Sequence, residues 1–446
     1  MDLLIVALVF LASLVVCLVR GAALAWALAI TFIALFCCGL HRKKTAGELW
    51  SMIRGELPGV LIVIRILCYV GLLTGLWRSC GTIAFFIWYG MRIIPPQLFL
   101  LLAFLLSALL SYAIGTSFGV TSTAGIMLIA LAHAGGVSVP VAAGVILSGV
   151  CFGDRGAPTS SCAAMNAAIT KTDHYGNVRH MLKTAALPLL LTLCVYIFLS
   201  LRHPITHVDE ALLRALEENF SISWLLVIPA VIMLVLPLFK IPIRLCMGIS
   251  ALAAFLLSVF LQQMSFFAAL RVAILGYAPG GALETVLSGG GFVSMVSTML
   301  LLLFAGACTG IIGGLQLLSG AQTQLARLSL KIGRFPAMCI AGILSCMVFC
   351  NQTIAMVFCK ELMESTYLSE NGTREELASD ISCSVVTIAG LVPWCIACSV
   401  PLTMLGAPFG AVGYACYLYL VPLCYLFTKR HFFPCPTKTE NSEVNV

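Results

Sequence analysis

Charged side chains are scarce in this chain. They make up 10% of its 446 residues, against about a quarter in soluble domains, which argues against a soluble enzyme. Long polar stretches are missing as well: the most charged loop, from 202 to 221, runs only about twenty residues, too short for a sensing or signalling domain of a receptor. The seven histidines form no HExxH or comparable cluster, and no CxxC pairs with another at zinc spacing, so metal catalysis and a bound cofactor find no support. The cysteines, 20 in number, are scattered inside apolar runs, as at Cys37, Cys38, Cys346 and Cys350, and read as small buried hydrophobes. Paired acids or a Ser/His or Ser/Lys couple, which an intramembrane enzyme needs, are not evident at any convincing spacing.

What is present is hydrophobic. Apolar side chains make up 61% of the chain, and apolar segments near the roughly 20 residues of a bilayer span recur along it, from 3–19 through 59–77 to 408–428. The expectation is an all-α, polytopic integral membrane protein of about 10–13 helices, folded as one domain. Leu3–Leu18 reads as a retained first span, because Asp2 stands where a signal peptide carries basic residues. The net charge of +7 sits mostly in short loops, including His41-Arg42-Lys43-Lys44, Lys240 with Arg244, and Lys429-Arg430. Basic loops of this kind face the cytoplasm. They are a topology signal and not a nucleic-acid footprint.

The chain also reads as two related parts. GLLTG at Gly71 is matched by GACTG at Gly306, Pro96 by Pro336, Thr116 by Thr353, and Pro158 by Pro393. All four pairs share an offset of roughly 235–240 residues, the mark of an internal repeat. The expected layout is a first repeat over 59–201, a linker loop over 202–221, a second repeat over 293–428 and a cytoplasmic tail over 429–446. The turn from His133 to Val139 has no Lys or Arg, whereas its counterpart is entered from Arg327, Lys331 and Arg334. Opposite entry is what an inverted repeat requires.

Four polar interruptions fall inside apolar runs: Gly115-Thr116-Ser117-Phe118-Gly119, Gly153 to Cys162, Cys350-Asn351-Gln352-Thr353, and Ala389 to Trp394. Non-helical backbone survives at membrane depth only where it lines a cavity or is buried in protein. The first of each pair suits the tip of a hairpin and the second the unwound middle of a crossing helix, with Gly115, Gly119, Gly153, Pro158, Pro393 and Trp394 as break and gating positions. Simple helix packing by glycine, a Pro kink, or an Asp154–Arg155 ion pair at a helix end are the plainer readings of each segment alone. Asp154 carries the most chemistry, since an acid at membrane depth is costly. A carboxylate set between burial and a neighbouring guanidinium can exchange a proton for Na+. The candidate ligands are Thr116, Ser117, Asp154, Ser160, Ser161, Asn351, Gln352 and Thr353, with Asp154 the candidate Na+ ligand.

From Gly115 to Pro188 the chain resembles the NhaC-type sodium/proton antiporter family. GTSFG is followed by an apolar span, then GDRGAPTSS, then TDHYGNVRHMLKTAALP, an order the family shares. Asn351-Gln352 and Leu391-Val392-Pro393-Trp394 resemble the family's "DQ" hairpin and "PLIPWN" segment. The departures are specific: Ser161 stands where the family has Asp, Cys162 and Ala163 replace two threonines, Asn351 replaces an acid, and Cys395 replaces Asn. The resemblance implies a secondary carrier in the cytoplasmic membrane that works by alternating access. Its expected activity is Na+/H+ antiport or Na+-linked exchange, with Na+-coupled transport of a small organic solute as the alternative. The expected partners are the lipid bilayer, Na+, H+ and such a solute, with no nucleic acid and with room for a homodimer.

Overall fold

The computed structural model describes residues 2–20, 24–205, 210–239, 241–315, 321–369 and 372–433. Helices dominate, and the described residues contain no strand, only one isolated bridge between Tyr277 and Gly289. Seven of the described helices are long and apolar enough to cross a membrane, or eight if Leu213–Asn219 and Trp224–Phe239, bent by 100°, form one span. Shorter apolar helices such as Ala25–His41, Thr82–Ile93 and Arg334–Phe349 accompany them. The protein is a multi-pass membrane protein.

The longest helix, Ala46–Ser79, has 34 residues and starts well before the apolar run near 59. Thr45 and Glu48 close a capping box at its start: the Glu48 N–H donates to the Thr45 hydroxyl, and the Thr45 N–H donates to the Glu48 carboxylate at 2.8 Å. This helix lies against Val296–Gly314, and the approach is so close that glycine is required. A Cβ on Gly310 would come within 2.7 Å of the Met52 carbonyl oxygen, and one on Gly306 would strike Val60. Elsewhere buried polar groups tie helices together. The Trp77 indole donates to Ser250 at 3.1 Å, and the Tyr196 hydroxyl donates to Ser148 at 2.6 Å.

Two expected loops are more ordered than their charge suggests. Within 202–221 lies the helix Glu210–Asn219, docked by Leu216 and by a 2.7 Å hydrogen bond from the Trp88 indole to Glu217; residues 206–209 lie outside the described part. Lys429 belongs to the helix Cys416–Phe432 and not to a solvated tail, whose residues 434–446 lie outside the described part. Its ammonium pairs with Glu376 at 2.7 Å and with the fully buried Asp380. Arg334 meets Glu376 at 3.3 Å, and the Tyr367 and Tyr425 hydroxyls donate to Asp380. A buried charge is tolerable only with partners of this kind. Lys240 lies outside the described residues.

Candidate functional site

The first interruption separates Phe99–Ile114 from Ser117–Val120. Gly115 ends the former helix with φ 78°, and Thr116 then caps the latter by accepting from the Gly119 N–H. Only glycine fits at 115, since a Cβ there would run into the backbone of Thr159. Gly119 turns its Cα towards Thr116 and Ile243. The chain continues through a wide π-type turn at Thr121–Gly125. There Thr121 donates to the Ser117 carbonyl at 2.8 Å, and Ser122 and Thr123 each donate to the Gly119 carbonyl at 2.9 Å. Such back-bonding by hydroxyls competes with the regular helical ladder.

The second interruption is narrower than expected. Val139–Gly156 remains helical through Gly153 and Asp154, and only Ala157 to Ser160 separates it from Ser161–Thr170. Asp154 is therefore in the last turn of a helix and not in unwound chain. Gly153 packs directly on Ser111, and the Pro158 carbonyl bonds to the His174 ring at 2.8 Å.

The later interruptions are built on the same plan. Cys350, with φ 55°, ends Arg334–Phe349, and the Asn351 side-chain oxygen accepts from the Thr353 N–H at 2.9 Å to cap Gln352–Ser369. Residues 390–395 separate Val385–Ala389 from Ile396–Met404, and the Ile396 N–H donates to the Cys350 carbonyl at 2.8 Å. Pro393 lies in this turn, and the Trp394 indole donates to the Met347 carbonyl at 2.9 Å.

Three of the interruptions, and the start of the helix that follows the fourth, border one cavity of about 520 Å³. Thr116, Ser117, Asp154, Ser161, Asn351, Gln352 and Thr353 line it, together with Ile396 and Ala397. The Asp154 carboxylate accepts from the Ser117 N–H at 3.1 Å. The Gln352 amide donates to the Cys162 thiol at 3.0 Å, so chain segments 190 residues apart meet here. Apolar side chains, including Val60, Val63, Met165 and Phe349, make up much of the wall.

Two sequence readings are revised. Ser160 does not line the cavity: its hydroxyl donates to the Asp154 carbonyl at 2.7 Å and accepts from the N–H groups of Cys162 and Ala163. It caps a helix, and with two N–H groups accepted it has no lone pair left for a cation. Arg155 does not pair with Asp154. It is buried and points the other way, donating to Tyr417 at 3.1 Å, Thr184 at 2.6 Å and the Cys383 thiol at 3.1 Å. Adjacent residues on a helix diverge by about 100°, so neighbours in sequence cannot share a face.

Besides apolar wall residues, two polar lining residues were not foreseen, Glu56 and Thr309. Thr309 donates to the Phe349 carbonyl at 2.8 Å, just before the second-half interruption. Glu56 sits in the long Ala46–Ser79 helix, in a segment that the apolar pattern alone leaves outside the membrane.

A membrane protein whose broken helices converge on an acid-bearing polar cavity is constructed as a secondary carrier. Comparison with known proteins fixes the class: the chain belongs to the Na+/H+ antiporter family, whose model matches residues 2–201 and 149–428. Among characterised sequences it is similar to the malate-2H(+)/Na(+)-lactate antiporter of Bacillus subtilis, with 27% identity over 371 residues, 81% of this chain and 79% of the relative. It is similar to the Na(+)/H(+) antiporter NhaC of Alkalihalophilus pseudofirmus, at 23% identity over 83% of this chain and 82% of that protein. It is also similar to the arginine/ornithine antiporter ArcD of Halobacterium salinarum, at 28% identity over 65% of this chain and 61% of that protein.

Proposed function

We propose that the protein exchanges Na+ for H+ across the cytoplasmic membrane by alternating access, with Asp154 holding the ion and the proton in turn. One observation carries this reading: Asp154 lines a cavity bordered by three helix interruptions and by the helix start that follows the fourth. Hydroxyl and amide oxygens of Thr116, Ser117, Ser161, Gln352 and Thr353 supply hard ligands of the type an alkali cation takes, while the Asn351 oxygen is occupied by two backbone N–H groups. Two repeats, each contributing a hairpin and a broken helix, move relative to one another in this scheme, and no cofactor takes part. Assembly as a homodimer belongs to the same proposal and is open to cross-linking in native membranes. The direct test is radiolabelled Na+ uptake into proteoliposomes driven by an imposed pH gradient. Uptake that disappears in Asp154→Asn supports the reading, and its absence in the unaltered protein overturns it.

A second reading is Na+-linked transport of a small organic solute. The cavity, at about 520 Å³, lies in the range that holds small-molecule ligands, roughly 300–1,000 Å³. The relatives that move malate and lactate, or arginine and ornithine, show that such cargo occurs among similar chains. Solute-dependent Na+ uptake without proton exchange would favour this alternative.

A further inference from the structure

The cavity carries a charge asymmetry that the transport reading does not use. Asp154 and Glu56 are the charged side chains on its wall, and no Lys, Arg or His among the described residues lines it. The two acids come from separate packing groups. Asp154 belongs to Val139–Gly156, which is packed on Phe99–Ile114 through Gly153 and Ser111. Glu56 belongs to Ala46–Ser79, which is held on Val296–Gly314. Gly310 contacts the turn at Met52 and Ile53, and Gly306 contacts Val60. Glu56 lies between these two contacts, so the close approach of the helices fixes its position along the cavity wall. Among the described residues no side chain donates to its carboxylate.

We propose that Glu56 is the second carboxylate of the transport cavity and that, with Asp154, it selects cargo bearing a protonated amine on an aliphatic body. This rests on the reading of the cavity as the transport site. A carboxylate-bearing cargo needs a guanidinium, an ammonium or converging N–H groups to replace its water. This cavity offers no basic side chain, and the Ser117 N–H is already given to Asp154. An ammonium finds two carboxylates and several carbonyl and hydroxyl oxygens here, while its methylene body meets Val60, Val63 and Met165. Glu56 also restores a second acid to the cavity where Ser161 and Asn351 present neutral groups.

Counterflow in proteoliposomes containing the full chain tests this, with radiolabelled putrescine and cadaverine as cationic probes without a carboxylate and L-malate and lactate as anionic ones. The expected result is accumulation of at least one amine and of neither anion. Glu56→Gln should weaken the apparent affinity for that amine by about tenfold or more, as expected for loss of a charge-assisted contact, and Glu56→Asp should recover part of it. Melting temperature and size-exclusion profile establish that each variant is folded. Accumulation of malate or lactate without amine overturns the proposal, as does equal amine affinity in the protein and Glu56→Gln. The pH-driven Na+ uptake assay in the same vesicles separates the two failures. If Asp154-dependent Na+ uptake is present and neither amine accumulates, only the cargo assignment falls; if both are absent, the cavity reading falls with it.

Discussion

The backbone N–H of Ser117 donates to the carboxylate of Asp154 at 3.1 Å, joining two helix interruptions 37 residues apart in the chain. The first helical turn after one break is thereby fixed to the last turn before the other. Asparagine at 154 retains an acceptor for this N–H but cannot carry charge. Asp154→Asn is therefore expected to melt within about 1 kcal/mol of the unaltered protein while losing pH-driven Na+ uptake to background. A melting curve and a flux assay on the same preparation check both halves of the statement.

Ser160 and Ser161 are adjacent and chemically identical, yet their surroundings separate them. Ser160 caps a helix, and Ser161 faces the cavity. Ser160→Ala should cost about 1 kcal/mol of stability through loss of the cap, with little change in the Na+ dependence of transport. Ser161→Ala should leave the melting temperature alone and raise the Na+ concentration for half-maximal uptake. The reverse pattern would mean that the assignment of cap and ligand is wrong.

Arg155 is a buried cation whose hydrogen-bond partners are all neutral, with its Nε lacking a partner. Lysine would keep the charge but not the planar fork that reaches Tyr417, Thr184 and Cys383 together. Arg155→Lys is expected to destabilise by about 2–5 kcal/mol, and Arg155→Met by less, because an apolar side chain removes the buried charge along with its contacts. Unfolding titrations in mixed detergent would rank the two.

Lys429 and Arg430 look alike in sequence, but Arg430 is exposed while Lys429 neutralises Asp380 and Glu376. Lys429→Met should cost about 3–5 kcal/mol by stranding buried carboxylates, and Arg430→Met should stay within about 0.5 kcal/mol. Adding Asp380→Asn to Lys429→Met should recover part of the loss. A double-mutant cycle on melting temperature measures the recovery.

Much of this arrangement is legible in the sequence. Breaks at 115–116, 350–351 and 390–395 stand out because glycine, threonine, asparagine and proline cut apolar runs, and the structure interrupts helices at each. Asp154 was legible as an acid in such surroundings. Glu56 escapes the apolar pattern because the first long apolar run begins after it, although the Thr45–Glu48 capping box marks an earlier helix start. The divergence of Arg155 from Asp154 also followed from helical geometry, which the adjacency of opposite charges obscured. Ser160 could not be told from Ser161, because a hydroxyl's role depends on which backbone groups reach it. Lys429 gave no sign of its partners, since Asp380 and Glu376 meet it only through tertiary packing.

Gly115 rests on Thr159, and the Cys350 carbonyl holds the Ile396 N–H. In each case a break in one helix is buttressed by a break in another, much as two notched beams are locked at a joint. In the alternating-access scheme proposed above, a displacement of either member must therefore break the joint or carry its mate along.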